Sequence, residues 1–321
     1  MEKVFEKINE IISNYDNVLI MGHKDPDLDS LGSCLGLYEI VESLNKKAYL
    51  FINYKNLSSY NNNINQSFNR IEKNVICVDK DSYKKIKGKT ILIITDVHIK
   101  ERLEYPDIVD EFDVIILDHH IKSKNYIKNT KYLFIDSNLS SMCEFVAYFA
   151  QYMNIDLDNV IATILLGGIE IDTNGYNLKT SDKTYEAASI LMKMGADTIV
   201  KQELLKETKE EYMKRASFIR NSFMIKDNIA MCIINETVKS LDLASTAEEL
   251  LTFEEIEASF VIGRLEDGKI GVSARSLGDI DVSIFMKKMG GGGHSFNAAC
   301  QVENKTIKEV KQEIIKLVNE N

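Results

Sequence analysis

The stretch HKDPDLDS, residues 23–30, holds one histidine and three aspartates within His23–Asp29, directly after the apolar run Val18-Leu19-Ile20. Like charges held that close repel one another unless something neutralises them. Carboxylate oxygens suit hard divalent cations, and imidazole adds affinity for transition metals. All five histidines, His23, His98, His119, His120 and His294, lie in or beside an apparent turn. In the N-terminal half they stand where strand-like runs end. VLIMG leads into His23, LIITD ends on Asp96, and VIILD ends on Asp118, which His119 and His120 follow. Asp172 follows the apolar, helix-like VIATILLGGIE. Two histidines and four aspartates suit two cations sharing one carboxylate. Two metals about 3.5–4 Å apart are a recurrent device for in-line attack at phosphorus.

Blander readings exist for each residue. Asp29 taken alone reads as a helix N-cap. A single histidine at a strand end is more often structural, and Asp118-His119-His120 could be a surface turn. These readings weaken together, because several strand ends would all have to carry idle His or Asp. Pro26 pre-sets its own φ and is expected to bias Asp25 toward extended geometry, letting Asp27 and Asp29 converge.

The elements that must position these residues are legible as short apolar runs: NVLIMG (17–22), KAYLFIN (47–53), NVICVD (74–79), TILIITD (90–96), DVIILDHH (113–120) and YLFID (132–136). They are near-continuous rather than alternating, as strands buried on both faces should be. Helical patterns such as 29–44 and 141–153 alternate with them, which predicts an α/β domain with a mainly parallel sheet over residues 1–200. Ligands of open parallel sheets collect at the carboxyl ends of strands. The Asn-rich segment 53–69 reads as a loop. Residues 201–221 read as a helical linker. Strand patterns at 222–227, 229–235, 258–276 and 298–302, with a hairpin turn at LEDGK and a closing helix, predict a smaller α+β domain over 222–321.

That second domain supplies Lys-Lys-Met-Gly-Gly-Gly-Gly-His, residues 287–294. Consecutive glycines allow close backbone approach and positive φ, and their N–H groups can form an anion nest. Gly291, Gly292, Gly293 and His294 are therefore candidate substrate contacts, and Arg275 could pair bidentately with a phosphate. Gly88-Lys89-Thr90 resembles the end of a nucleotide P-loop, but Tyr83 stands where its first glycine is required.

Composition narrows the classes. The formal net charge of −10 argues against sequence-blind binding of long nucleic acid. No apolar run approaches the ~18 residues of a membrane span. The acidic, amphipathic N-terminus lacks the marks of a signal peptide. Five widely spaced cysteines without a CxxC read as reduced thiols of a cytoplasmic protein.

HKDPDLDS, IITD, LDHH, IDTNG and GGGGH, in this order, resemble the DHH-family phosphoesterases that carry a DHH-associated C-terminal domain. The resemblance covers nearly the whole chain. It implies two metal ions, expected to be manganese: one held by His23, Asp27 and Asp96, the other by Asp29, Asp96, His119 and Asp172, with Asp96 bridging. It also implies that Asp118 orients its neighbours, that His120 points toward the substrate phosphate, and that Gly291–His294 and Arg275 grip the nucleotide.

Within the family, NVLIMGHKDPDLDSLG, ITDVH, NLSSMCEFVA and the stretch from SFVIGRLEDGK to GGGGH look like the catalytic part of cyclic-di-AMP phosphodiesterases. Long members of that group carry membrane helices and further domains upstream. The chain is thus expected to be a stand-alone form or an excised catalytic region. It departs from the pattern at Val97, where threonine is common, and at Ile121-Lys122, where arginines are common.

The expected reaction is hydrolysis of cyclic-di-AMP to pApA and onward to AMP by a homodimer. One rival is a nano-RNase with 3′-phosphoadenosine-5′-phosphate phosphatase activity on short linear nucleotides. A RecJ-like exonuclease fits less well with the acidic balance. A non-catalytic nucleotide sensor is the rival from another class, and the intact ligand set argues against it.

Overall fold

The computed structural model of the chain describes residues 1–52, 62–71, 75–293 and 295–320. They form two compact units, Met1–Lys206 and Glu207–Asn321.

The first unit opens with helix α1 (Glu2–Ser13), then strand β1 (Asn17–Met21), helix α2 (Leu28–Ser43) and strand β2 (Lys47–Phe51). Helix α3 (Asn62–Ile71) and strands β3 (Cys77–Val78), β4 (Thr90–Thr95), β5 (Asp113–Asp118) and β6 (Tyr132–Ile135) follow. Helices α4 (Met142–Tyr152), α5 (Asn159–Asp172), α6 (Asp182–Lys193) and α7 (Thr198–Leu204) complete it. The six strands lie in the order β3-β2-β1-β4-β5-β6, all neighbours parallel. From β1 the chain steps outward one way to β2 and β3, then returns to β4 and steps the other way. The order therefore reverses between β1 and β4, the crevice where ligands of such sheets bind.

Alternate residues explain the near-continuous apolar runs. Val18, Ile20, Ile91, Ile93, Ile115 and Leu117 pack toward α1, α2, α4 and α5. Their neighbours Leu19, Met21, Leu92, Ile94, Val114 and Ile116 pack on the other face with Tyr83, Leu103 and Ile108 from short irregular turns. Both faces are covered, so the middle positions of these strands are apolar, and polar residues stand only at their ends.

Two expectations change here. Residues 53–61 of the Asn-rich segment lie outside the described residues, but Asn62–Ile71 is helical rather than loop. Ile64, Phe68 and Ile71 recur at helical spacing and are buried in the main core, so a three-residue stripe decided the state of a polar segment. The stretch 201–221 is not one helix. It contains the end of α7 and all of α8 (Lys209–Ile219), separated by the non-helical residues 205–208, and Thr208 opens α8 through a reciprocal cap with Glu211.

The second unit adds β7 (Phe223–Lys226), β8 (Ile229–Val238), α9 (Ser240–Leu250), β9 (Ala258–Leu265), β10 (Ile270–Ser276), α10 (Val282–Lys288), β11 (Gly292–Gly293), β12 (Asn297–Val302) and α11 (Ile307–Asn319). Its sheet runs β11-β12-β10-β9-β8-β7, with β8 and β9 parallel and the other pairs antiparallel. LEDGK closes the β9–β10 hairpin, with Gly268 at φ +85°. Phe218 of α8 and Leu243, Ala247 and Leu250 of α9 cover one face. Val282 and Phe285 of α10 and Val310, Ile314 and Val318 of α11 cover the other.

Candidate metal centre

Three parallel strands end side by side, and each delivers a polar group to the same edge. After β1 the chain passes Gly22, where a Cβ would sit 2.2 Å from Ser30 Oγ. That close approach lets the Ser30 hydroxyl accept the His23 N–H at 3.2 Å, tying the strand end to the first turn of α2. His23 Nδ1 bonds the carbonyl of Lys24 at 2.7 Å. A carbonyl only accepts, so Nδ1 carries the proton and Nε2 is left facing Asp27 Oδ2 at 3.7 Å and Asp96 Oδ2 at 3.4 Å. Asp25 has φ +51°, a left-handed turn rather than the extended geometry expected before Pro26. Proline disfavours the right-handed region for its predecessor, and a short polar aspartate tolerates the left-handed one.

Asp27, not Asp29, is the N-cap of α2, its Oδ1 accepting Ser30 N–H at 2.9 Å. Asp29 is fully buried inside the first turn. Its two oxygens accept the N–H groups of Met142 (2.8 Å) and Cys143 (2.7 Å) at the start of α4. A helix N-terminus thus points at an anion, a favourable arrangement. Asp29 also lies beside Asp172 at the end of α5. Gly168 permits this, because a Cβ there would meet the Cα of Asp29 and the carbonyl oxygen of Leu28 at 3.0 Å each.

Asp96 follows β4 at φ +64° and is 3% exposed. Its Oδ2 faces His23, while its Oδ1 lies 3.2 Å from His119 Nε2. His119 Nε2 also lies 3.2 Å from Asp172 Oδ2 and 3.7 Å from Asp29 Oδ2. Three sets of side chains therefore converge: His23, Asp27 and Asp96; Asp29, His119 and Asp172; and Asp96, His119 and His120. The structure brings all six sequence-derived ligand candidates together, with one Asp96 oxygen facing each side.

The donor set fits a pair of divalent cations. Neither nitrogen of the buried His119 ring, nor Asp96 Oδ1, has a hydrogen-bond partner among the described residues. Such orphans are rare in protein interiors. Their short separations are those of neighbouring corners around a cation, about 3 Å for bonds near 2.1 Å. The electrostatics agree. Burial would lower His119, but Asp172 and Asp96 outweigh it and hold its pKa well above the usual histidine range. Burial and then Asp27 and Asp96 act the same way on His23, which is also raised. Burial, then Asp172 and Asp96, pushes Asp29 well up. Asp172 is raised by burial, although His119 opposes it. Burial would raise Asp96 as well, but His119 and His23 hold it well below the carboxylate range. Protons are drawn to this cluster, as any cation would be.

Asp118 is fully buried and stands behind the cluster. Its Oδ1 accepts both the backbone N–H of His120 (3.0 Å) and His120 Nδ1 (2.8 Å). Its Oδ2 is bonded to His98, a residue without an assigned role in the sequence. His23, Asp96 and His120 line a cavity of about 270 Å³ together with Lys24 and Arg102. Lys24 lies within the HKDPD motif. Arg102 reaches the cavity because its carbonyl accepts Lys24 N–H at 2.8 Å, a pairing that no local spacing announces.

In the second unit, Arg275 is 6% exposed, and its guanidinium is already engaged. Nε bonds Glu248 at 2.9 Å, and Nη1 bonds Ser273 Oγ and the Ala274 carbonyl. The glycine loop has structural uses of its own. Gly290, at φ +83°, stops α10: its N–H bonds Lys287 and the next N–H bonds Met286. Gly291 and Gly293 press against β12, where a Cβ would lie 2.2 Å from the Ala299 carbonyl oxygen and 2.4 Å from Ala298 Cα. A Cβ on Gly292 would meet nothing within 4 Å. His294 lies outside the described residues.

Comparisons with known proteins agree with this architecture. The DHH family N-terminal domain matches residues 17–169, and the DHHA1 domain matches residues 226–321. The chain is 34% identical, over 98% of its length, to the cyclic-di-AMP phosphodiesterase GdpP of Geobacillus thermodenitrificans, and it spans 49% of that protein. It is 26% identical to the bifunctional oligoribonuclease and PAP phosphatase NrnA of Mycoplasma genitalium, over 98% of both chains. The fold superposes on the crystal structure of an exopolyphosphatase-related protein from Bacteroides fragilis with a TM-score of 0.81 at 17% identity, covering 99% of this chain and 96% of the other. No helix among the described residues is long and apolar enough to cross a membrane. The parallel sheet with its His and Asp residues gathered at one edge, followed by the glycine-containing second unit, thus has a known lineage: the chain belongs to the DHH family and combines an N-terminal DHH domain with a C-terminal DHHA1 domain.

Proposed function

We propose that this chain is a metal-dependent phosphodiesterase that opens cyclic-di-AMP to linear pApA and cuts that product onward to AMP. The observation that carries the reading is Asp96, whose two oxygens face separate groups of His and Asp side chains. His23, Asp27 and Asp96 would hold one divalent cation. Asp29, Asp96, His119 and Asp172 would hold a second. Manganese suits this mixture of imidazole and carboxylate. Two such ions supply charge neutralisation at phosphorus and a water acidic enough to attack at neutral pH.

The chain's own residues do the rest. Asp27 and Asp29 hold position through the first turn of α2. Asp118 accepts the Nδ1–H of His120, so Nε2 is the nitrogen left to meet a phosphoryl oxygen. Lys24 and Arg102 place positive charge around the cavity, which suits an anionic substrate. Gly291–His294 belong to the same reading as nucleotide contacts. The name carried by the GdpP relative supports the cyclic substrate. A cytoplasmic homodimer completes the proposal, to be checked by fractionation and light scattering.

The similarity to NrnA along the full length of both chains favours a second reading, cleavage of short linear nucleotides and 3′-phosphoadenosine-5′-phosphate. Rates on cyclic-di-AMP, pApA and the bisphosphate nucleotide, measured side by side with manganese, separate the two. Cyclic-di-AMP is expected to be converted with pApA appearing first. Cleavage of the linear substrates alone would overturn the cyclic assignment, and no turnover of any would favour a nucleotide sensor.

A further inference from the structure

We propose that His98 is a positioning residue for this site: through Asp118 it fixes the orientation and the tautomer of His120. The proposal rests on the phosphodiesterase reading for its consequence, but its geometry stands without it. His98 is 2% exposed and belongs to none of the three converging groups. Its Nε2 accepts the backbone N–H of Ser123 at 2.9 Å. An amide N–H only donates, so Nε2 has no proton and Nδ1 must carry it. That Nδ1–H donates to Asp118 Oδ2. With Oδ2 engaged by His98, Oδ1 accepts the two donors of His120, its backbone N–H and its Nδ1–H.

The order of dependence follows from burial. Asp118 is fully buried, so its carboxylate keeps one rotation only while both oxygens have donors. The His120 side chain is 39% exposed, and its hydrogen bonds run to Asp118. Without His98, Asp118 Oδ2 would be left unpaired, the carboxylate would turn to find another donor, and His120 would lose its anchor. His98 is itself locked from outside the cluster. The strap 121–127 donates Ser123 N–H to its ring and Ile127 N–H to its carbonyl at 2.9 Å, and Ile99 pairs with Tyr126. The segment that follows the two histidines thus sets the tautomer of the ring that, through Asp118, supports His120.

A buried histidine can also be a mere staple for that strap. The two roles separate by experiment. His98→Leu removes the donor, while His98→Asn keeps an N–H near the Nδ1 position. The expected result for His98→Leu is a kcat lowered about 10- to 100-fold, with KM and the manganese Kd from calorimetry unchanged. His98→Asn should recover most of kcat. In ¹⁵N spectra of the metal-free wild-type protein, His98 should be protonated at Nδ1 and bare at Nε2. The hydrogen-bonded Nδ1 signal of His120 should weaken in His98→Leu.

Wild-type kcat in His98→Leu would overturn the proposal. So would a parallel fall of kcat, manganese affinity and melting temperature, which marks a staple. If His98→Leu does not fold, the wild-type spectrum and His98→Asn decide. An Nε2-protonated His98, or a folded His98→Asn without activity, refutes the role. A wild-type protein that cleaves none of the three nucleotides would sink the phosphodiesterase reading alone, since the tautomer and the His120 signal are read without turnover.

Discussion

Replacing Gly168 by alanine tests whether close packing of α2, α4 and α5 is what sets the metal centre. An added Cβ would lie 2.5 Å from Cys143 Sγ, 3.0 Å from Asp29 Cα and 3.0 Å from the Leu28 carbonyl oxygen. Ordinary contacts between such atoms are about 3.5–4 Å, so the relief needed is about 1 Å at Cys143 Sγ and about half an ångström at the two backbone atoms. Cys143 has little room to give, because it is fully buried and its Sγ already lies 3.5 Å from the Asp29 carbonyl oxygen. The other two atoms are α2 backbone.

Helix propensity alone favours alanine by about 1 kcal/mol, and overpacking opposes it by about 1–3 kcal/mol. Two backbone contacts put this site at the upper end, for a net loss of about 1–2 kcal/mol. In a unit of this size that lowers the melting temperature by about 2–8 °C. Moving α2 away from α5 also parts Asp29 from Asp172, so manganese affinity should fall about tenfold or more. The assay is thermal melting with and without manganese, together with calorimetric titration. The double variant with Cys143→Ala removes the shortest contact and should recover part of both losses. A Gly168→Ala protein that melts with wild type and binds manganese equally well would refute the packing argument.

Four groups of the centre, Asp29, Asp172, His23 and His119, have raised pKa values in the metal-free protein. The contribution of each is full below its unfolded pKa (3.8 for the aspartates, 6.5 for the histidines) and is lost as pH rises through the folded value. Metal-free melting temperatures should therefore fall from pH 7 to pH 9, and a rise would contradict the shifts. The same groups must give up protons to bind metal, so calorimetric heats should vary with buffer ionisation enthalpy and show net proton release near pH 7. Arg102→Ala should raise KM several-fold with kcat and the melting temperature little changed; an unchanged KM in steady-state assays would remove Arg102 from the substrate cavity.

Much of the catalytic unit was legible because its physics is local. Strands covered on both faces must be apolar along their middle, and the six runs of the first unit each contain one strand. Ligand types and strand ends then implied the shared edge without any knowledge of strand order. What stayed hidden depends on tertiary partners. Residues 62–71, which take in the end of the Asn-rich stretch, fold as α3 because three apolar residues meet the core, although their polar majority reads as loop. Asp29 looked like an N-cap, but the cap is Asp27, two residues earlier, and Asp29 is held by the start of α4, more than a hundred residues away. Arg275 was read as a phosphate clamp, yet α9, a helix not expected from the sequence, supplies Glu248 to pair with it. The role of His98 required Ser123 and Asp118 to be in place, and no periodicity carries that information.

On the geometry above, Asp96 would join two cation sites at the end of β4. Counting manganese bound per chain tests it most directly, by equilibrium dialysis of the wild-type protein and Asp96→Asn at equal concentration. The expected result is two ions per wild-type chain and the loss of at least one in Asp96→Asn, whose circular dichroism spectrum stays that of the wild type. A single ion in the wild type, or two ions bound as tightly after the substitution, would contradict it.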